Sequence, residues 1–231
     1  MKLSVIIPTL NEQDNISRLI DRLQEGSRET DTEIIVVDGN SDDDTVAIAS
    51  SYGIKTLICP TAGRASQLNL GASEAKSDLL YFVHGDTLPP LSYYTDIKKA
   101  LKLGYDLGCY RFRLESTSYL LRINSYFTRF NRMWCRGGDQ SLFVKRSVFE
   151  DLDGFKNDYV IMEDFDFLRR ARRQYRFCIM PKDILVSARK YENNSYLRVQ
   201  LANLIVFNMF RRGYQPRQIL KTYRKLINYR S

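Results

Sequence analysis

Apolar and polar positions along the first ninety residues follow two periods in turn. Residues 3–8 form a β-rich apolar run ending at Pro8, and 33–37 (EIIVV), 55–59 and 79–83 (LLYFV) repeat the pattern, each stopped by proline or a polar turn cluster. Short apolar runs rich in Val, Ile, Tyr and Phe predict buried strands. Between them the spacing becomes helical: Ile16, Leu19, Ile20 and Leu23 fall at i, i+3, i+4 and i+7. Asn11 or Asp14 is placed to cap this helix. Asp42, Asp43 and Asp44 open a second that runs to Tyr52, and 64–76 predict a third. Strands separated by helices imply parallel pairing in a doubly wound α/β sheet. Such sheets bind ligands in the crevice at the strand carboxyl ends. The polar clusters at 9–12, 38–41 and 84–87 all fall there.

The second half is less regular. It predicts strands at 106–114, 141–144 and 183–191, and helices at 119–132 and 162–174, the latter carrying Phe165, Leu168 and Ala171 on one face. Two terminal helices follow, 196–212 and 216–229, parted by Gly213, with Pro216 near a helix start where its missing N–H is no loss.

At 231 residues and 44% hydrophobic, the chain suits one core with a terminal appendage. Charge separates the two parts. Residues 189–231 carry ten Lys/Arg and one acidic residue, Glu192, whereas the first 188 residues sum to −1. A basic tail attracts anionic surfaces, membrane or nucleic acid. Leu197, Leu201, Leu204, Ile205 and Met209 mark an apolar stripe within it. Either this stripe docks on an anionic membrane or it packs on the domain or in a homodimer. The opening residues lack a secretory pattern, and the longest apolar stretch, 201–210, is too short to span a bilayer, which predicts a cytoplasmic protein, with peripheral contact at the inner membrane face if the tail binds lipid. The scattered Cys59, Cys109, Cys135 and Cys178 suggest buried thiols and neither zinc site nor disulfide framework.

Four clusters can carry chemistry. His84-Gly85-Asp86-Thr87 puts a carboxylate at a strand end beside a glycine that permits close approach, which suits a hard cation; it is also ordinary turn composition. Glu163-Asp164 supplies either a general base or acids compensating a helix dipole. Gly138, Asp139 and Gln140 form either a hydroxyl-reading loop or a plain one. Gly63-Arg64 at a helix start can meet phosphate, or Arg64 can lie solvated at the surface. The run Arg169-Arg170-Ala171-Arg172-Arg173 reads as a solvated helix face. There is no Walker A loop, GxGxxG, GxSxG or Cys/His pair, which removes the common NTPase, dehydrogenase and hydrolase classes.

In order, these pieces resemble the family 2 glycosyltransferases of GT-A fold. The resemblance rests on 4–12 (SVIIPTLNE), 36–45 (VVDGNSDDDT), 63–72 (GRASQLNLGA), His84-Gly85-Asp86-Thr87, Gly138-Asp139-Gln140, Gly154-Phe155 and Glu163-Asp164. Within the family the chain is similar to a small bacterial branch associated with radical-SAM and selenium-related genes, where His-x-Asp-Thr replaces Asp-x-Asp and a segment like 187–192 (SARKYE) precedes a helical tail. The resemblance implies a Rossmann-like, mostly parallel sheet flanked by helices. Residues 1–191 would form the nucleotide-sugar-binding and catalytic domain and 192–231 the basic helical appendage packed on it. It implies transfer of a sugar from a nucleoside-diphosphate sugar to an acceptor hydroxyl, with inversion and a divalent metal, manganese or magnesium. Pro8, Thr9, Asn11, Glu12 and Asp38 would hold base and ribose, and Arg64 the nucleotide. Asp86 would bind the metal with His84 beside it, and Asp164 would be the base. Glu163, Gly138, Asp139 and Gln140 would line the donor-sugar or acceptor pocket. An unperturbed aspartate has a pKa of about 3.9, so Asp164 is expected to be ionised at neutral pH. A nucleotidyltransferase lacks support in the absence of a glycine-rich lysine loop. A nucleic-acid-binding module would leave the clustered carboxylates unexplained, since phosphate repels them, and no nucleic-acid partner is expected.

Overall fold

The computed structural model describes residues 1–61 and 63–227. Strand β1 (Leu3–Thr9) is buried at every position and lies between parallel neighbours β2 (Thr32–Asp38) and β4 (Leu79–Phe82), with β3 (Lys55–Ile58) outside β2. Helices α1 (Ile16–Gly26), α2 (Thr45–Ser51) and α3 (Arg64–Glu74) connect them. Alternation along β1 divides the core: Leu3, Val5 and Ile7 pack with α1's Ile16, Leu19, Ile20 and Leu23, whereas Ile6 points to the opposite cluster beneath α3. Helix α3 sits close on the sheet because Gly71 has no side chain. A Cβ there would lie 2.4 Å from Ile6 Cγ2.

The rest of the chain extends this sheet. It comprises β5 (Thr87–Leu88), α4 (Tyr93–Lys102), β6 (Leu107–Leu114), α5 (Tyr119–Phe127), β7 (Leu142–Lys145), α6 (Arg146–Asp151), α7 (Glu163–Ala171) and β8 (Phe177–Val186). The order across the sheet is β3-β2-β1-β4-β7-β6-β8-β5, with β7 antiparallel to both neighbours and β6 parallel to β8. Helices α8 (Tyr196–Arg211) and α9 (Pro216–Leu226) close the described chain. The predicted end of the last helix at Tyr229 lies outside the described residues.

Several boundaries differ from those expected. Helix α1 is entered through Asn15, not Asn11 or Asp14; Asn11 instead adopts a left-handed φ of 56° in the loop after β1. Helix α5 stops at Phe127, where the buried Thr128 hydroxyl turns back to the Ser125 carbonyl. Strand β8 begins at Phe177, six residues before the expected start, and ends at Val186. Its pairing with β6 shifts between Tyr110 and Arg111, from Met180 to Asp183, so Pro181 and Lys182 are bulged out of register. Residues 189–191 form a 3-10 turn and not strand. Helix α4 was not expected at all. All four cysteines are free, and three are buried.

Helix α8 buries Val199, Ala202, Val206 and Phe210, the last three meeting Ile219 and Tyr223 of α9 and the segment around Ile161 and Phe165. The stripe singled out in the sequence is split: Leu197, Leu201 and Leu204 are exposed, whereas Ile205 is half-buried and Met209 packs against this cluster. A helix that is apolar on most sides does not declare its buried face by spacing alone. No helix among the described residues is long and apolar enough to cross a membrane.

Candidate active site

The carboxyl ends of β1, β2 and β4 line one rim, as a parallel sheet requires. At one end of it Asp38 is fully buried (0% exposed) and its carboxylate accepts hydrogen bonds from Thr9 Oγ1 (2.9 Å), the Ser41 amide (2.7 Å) and Ser41 Oγ (2.6 Å). Asp38 thus fixes the shape of this loop pair. Asn11 joins the same clasp, its amide donating to Ser41 Oγ and its side-chain oxygen accepting from the Asp42 amide. Gln67, part of the 63–72 motif but given no role there, donates from Nε2 to the carbonyls of Thr9 (2.7 Å) and Val37 (2.8 Å), tying the ends of β1 and β2 to α3. Pro8 and Thr9 are buried between these elements.

Beyond β4 the chain turns through His84-Gly85-Asp86. A Cβ on Gly85 would lie 2.9 Å from Glu12 Cγ, so the glycine lets Glu12 approach the turn. His84 Nδ1 lies 3.8 Å from Asp139 Oδ1. Burial and the nearby Arg64 push the imidazole pKa down to about 3, so His84 is neutral and the contact is no ion pair. Burial beside Asp139 and Glu12 raises the Asp86 carboxyl to about 6. Arg189, in the turn after β8, hydrogen-bonds Glu12 and approaches Asp86 Oδ2 to 3.6 Å. The sequence isolated the segment 187–192 as a motif without giving this arginine a role; the strand expected across it would have directed its side chain by simple alternation.

Across the cleft, Met162 in left-handed conformation (φ 71°) turns the chain into α7, whose first turn carries Glu163, Asp164 and Asp166. The three acids divide the two readings weighed above. Asp166 is buried in ion pairs with Arg169 and Arg170, both at 2.8 Å, and is the structural acid. Arg170 also donates to the carbonyls of Leu152 and Gly154, so this arginine is not a bare solvated charge. Glu163 (1% exposed) pairs with Arg64 at 3.2 Å through one oxygen only. Its other oxygen, Asp164 Oδ2 and the amide nitrogen of Gln140 (1% exposed) are buried with no partner among the described residues. These groups line one small cavity with His84, Cys109 and Gly137, and Gly138 belongs to the adjoining 3-10 turn (Gly138–Gln140). Buried polar atoms are nearly always bonded in folded proteins, so three orphans around one cavity mark a place for a polar guest, an ordered water or a ligand group.

Burial, with Glu163 next to it, raises Asp164 to about 8, which corrects the expectation of an ionised aspartate. Burial also raises Glu163, against the pull of Arg64. A local pattern of acids does not reveal this shift, because the cavity is walled partly by residues from β6 and β7.

A sequence profile of glycosyl transferase family 2 matches residues 4–151. The chain is 32% identical over 113 residues to a dolichol-phosphate mannosyltransferase of Pyrococcus furiosus, covering 47% of this chain and 32% of the relative. It spans about a third of the length of such curated relatives. Among solved structures, S. aureus TarS in complex with UDP-GlcNAc superimposes with a TM-score of 0.68 at 17% identity, over 98% of this chain and 71% of that one. The mannosyltransferase PcManGT of Pyrobaculum calidifontis, in complex with GDP-Man and Mn2+, gives 0.67 at 20% identity, over 97% and 69%. At such identities the likeness shows the fold, which is GT-A. The profile covers more than half of the sequence and takes in the part of the site from Thr9 to Asp139, so the chain belongs to glycosyl transferase family 2.

Proposed function

We propose that this protein transfers a sugar from a nucleoside-diphosphate sugar to an acceptor hydroxyl, with inversion. The observation that carries the reading is the set of orphaned buried atoms of Asp164, Glu163 and Gln140 around one cavity, across the rim from Asp86. In this reading Pro8, Thr9, Asn11 and Glu12 seat base and ribose, with Asp38 holding their loop in shape, and Arg64 meets the nucleotide. Glu163, Gly138, Asp139 and Gln140 hold the donor sugar and acceptor. The acceptor's O–H proton passes to Asp164, its oxygen attacks the anomeric carbon from the face opposite the leaving group, and the diphosphate departs with the bonding electrons. Kinship with the radical-SAM and selenium-associated branch rests on His84-Gly85-Asp86-Thr87 and on 187–192.

The residues present fit a divalent cation that is shared with the ligand. Asp86 and neutral His84 offer one oxygen and one nitrogen donor, and the crowding of Asp86 with Asp139 and Glu12 favours an incoming positive charge. Among the described residues no three His, Cys, Asp or Glu side chains form a closed set, so further ligands would come from a diphosphate and water. When bound, manganese or magnesium would neutralise charge on the leaving diphosphate. Titration calorimetry of UDP, GDP and dTDP sugars with and without manganese tests the reading. At least one donor is expected to bind, and Asp86→Ala to weaken it in manganese by at least the ~10–100-fold that loss of an outer-shell metal partner costs. Unchanged affinity in Asp86→Ala would remove the metal role, and no binding by any donor would remove the function.

We also propose that this is a cytoplasmic enzyme touching an anionic membrane surface through its basic tail. Exposed Leu197, Leu201 and Leu204 on α8 and the basic face of α9 (Arg217, Lys221, Arg224, Lys225) support it, as do the exposed Tyr126, Phe127, Phe130 and Trp134, whose rings pack together beside Arg129. A lipid-linked acceptor would then lie within reach. The protein should sediment with vesicles containing anionic lipid at low salt and be released by high salt. A homodimer with no sedimentation would assign the tail to self-association instead.

A further inference from the structure

We infer that Arg189 is the donor site's own diphosphate-binding cation, exchanging its contacts with Glu12 and Asp86 for phosphate oxygens when a nucleoside diphosphate binds. The inference rests on the nucleotide-sugar reading above. After β8 the chain leaves the sheet, and the Ser187 amide donates to the Asp86 carbonyl (3.1 Å), pinning the segment to the turn after β4. The following 3-10 turn aims Arg189 back over the rim, where its Nη2 bonds Glu12 and faces Asp86 Oδ2 at 3.6 Å. Both contacts use one nitrogen. A guanidinium has five N–H donors in a planar fork matched to phosphate oxygens.

The charges of the cleft require such a group. Glu12 and Asp139 crowd Asp86 where the proposed reading puts a diphosphate, and Arg64 is engaged with Glu163. Arg189 is a second cation facing the rim, and it lies against the same carboxylate that a divalent ion would need. Arg189 and the metal therefore compete for Asp86 until a diphosphate arrives to take both. The tail has a part in this. Lys190 lies over the ring of Tyr223 (5.2 Å), Tyr191 stacks with Tyr196 and accepts from Gln200 (3.2 Å), and Asn194 donates to the Lys190 carbonyl (3.1 Å), so α8 and α9 hold the turn that presents Arg189.

The test uses the full chain as wild type, Arg189→Met and Arg189→Lys, each checked by thermal unfolding. Binding of UDP and GDP is measured by calorimetry in EDTA and in manganese, and binding of manganese alone by electron paramagnetic resonance. Arg189→Met is expected to weaken the preferred nucleoside diphosphate at least tenfold in EDTA and to tighten manganese alone severalfold, because Asp86 and Glu12 lose their counter-ion. Arg189→Lys should recover part of both. A merely structural role would weaken both ligands together with the melting temperature, and that result, or wild-type nucleotide affinity of Arg189→Met in EDTA, overturns the inference. If the wild type binds neither nucleotide in either buffer, the nucleotide-sugar reading falls and this inference falls with it.

Discussion

Asp164→Asn is expected to bind nucleoside diphosphate like the wild type and to transfer sugar about 10²–10⁴-fold more slowly, the usual worth of a general base. The substitution keeps the shape of the side chain and removes only its capacity to take a proton. The wild-type pH profile carries the second half of the expectation. A base must be ionised to act, and burial beside Glu163 raises Asp164 to about 8. Below that value the ionised fraction falls about tenfold per pH unit, so kcat/KM, which reports the free enzyme, should climb from pH 6 to about 8 and then level. An ordinary aspartate would give the same rise at much lower pH and a profile already flat across this range. Initial rates between pH 6 and 9 with saturating metal give the answer. A flat profile, or an Asn variant with normal turnover, would move the base to another residue. Glu163 is less suited to that role because Arg64 already holds one of its oxygens.

How far this site was legible depends on which residues build it. Strands β1, β2 and β4 were plain because both of their faces are covered: Val5, Ile6 and Ile7 are all buried, so the run is unbroken and ends where the polar rim begins. Thr9, Asn11, Asp38 and Asp86 could therefore be assigned to one rim from strand ends alone. Helix α4 escaped notice because Tyr93 and Tyr94 favour strands and follow Pro89-Pro90, although Tyr93, Ile97 and Ala100 share its buried face. Strand β8 was displaced by Pro181, which ends a strand by the usual rule and is here absorbed by a bulge. That displacement also hid Arg189. The protonation of Asp164 was out of reach for another reason. It depends on a cavity assembled by residues as distant as Leu68, Cys109 and Leu142, and no local pattern around 162–166 carries that information.

Phe167→Ala should produce the largest loss of stability, about 3–5 kcal/mol. Phe167 is 0% exposed and packs its ring 5.0 Å from that of Phe155 and 5.6 Å from that of Phe149, and Phe82 of β4 meets both of those partners at 5.2 and 5.3 Å. Truncation opens a cavity in a cluster whose other rings are fixed on a strand, a helix and a loop, so little collapse is available to fill it. A domain of this size is stable by about 5–15 kcal/mol, and the variant should still fold in water. Its urea midpoint should fall with an unchanged slope, and Phe167→Leu should lose much less. The consequence for function follows from helix geometry. Phe167 lies three and four residues after Asp164 and Glu163, on the same side of α7 one turn along. The aromatic cluster is then the seat that fixes where those carboxylates point, and transfer should drop in Phe167→Ala even under conditions where the variant is fully folded. Full activity in the folded variant would mean that α7 is held by its other contacts, Asp166 with Arg169 and Arg170 foremost, and that the ring cluster serves stability alone.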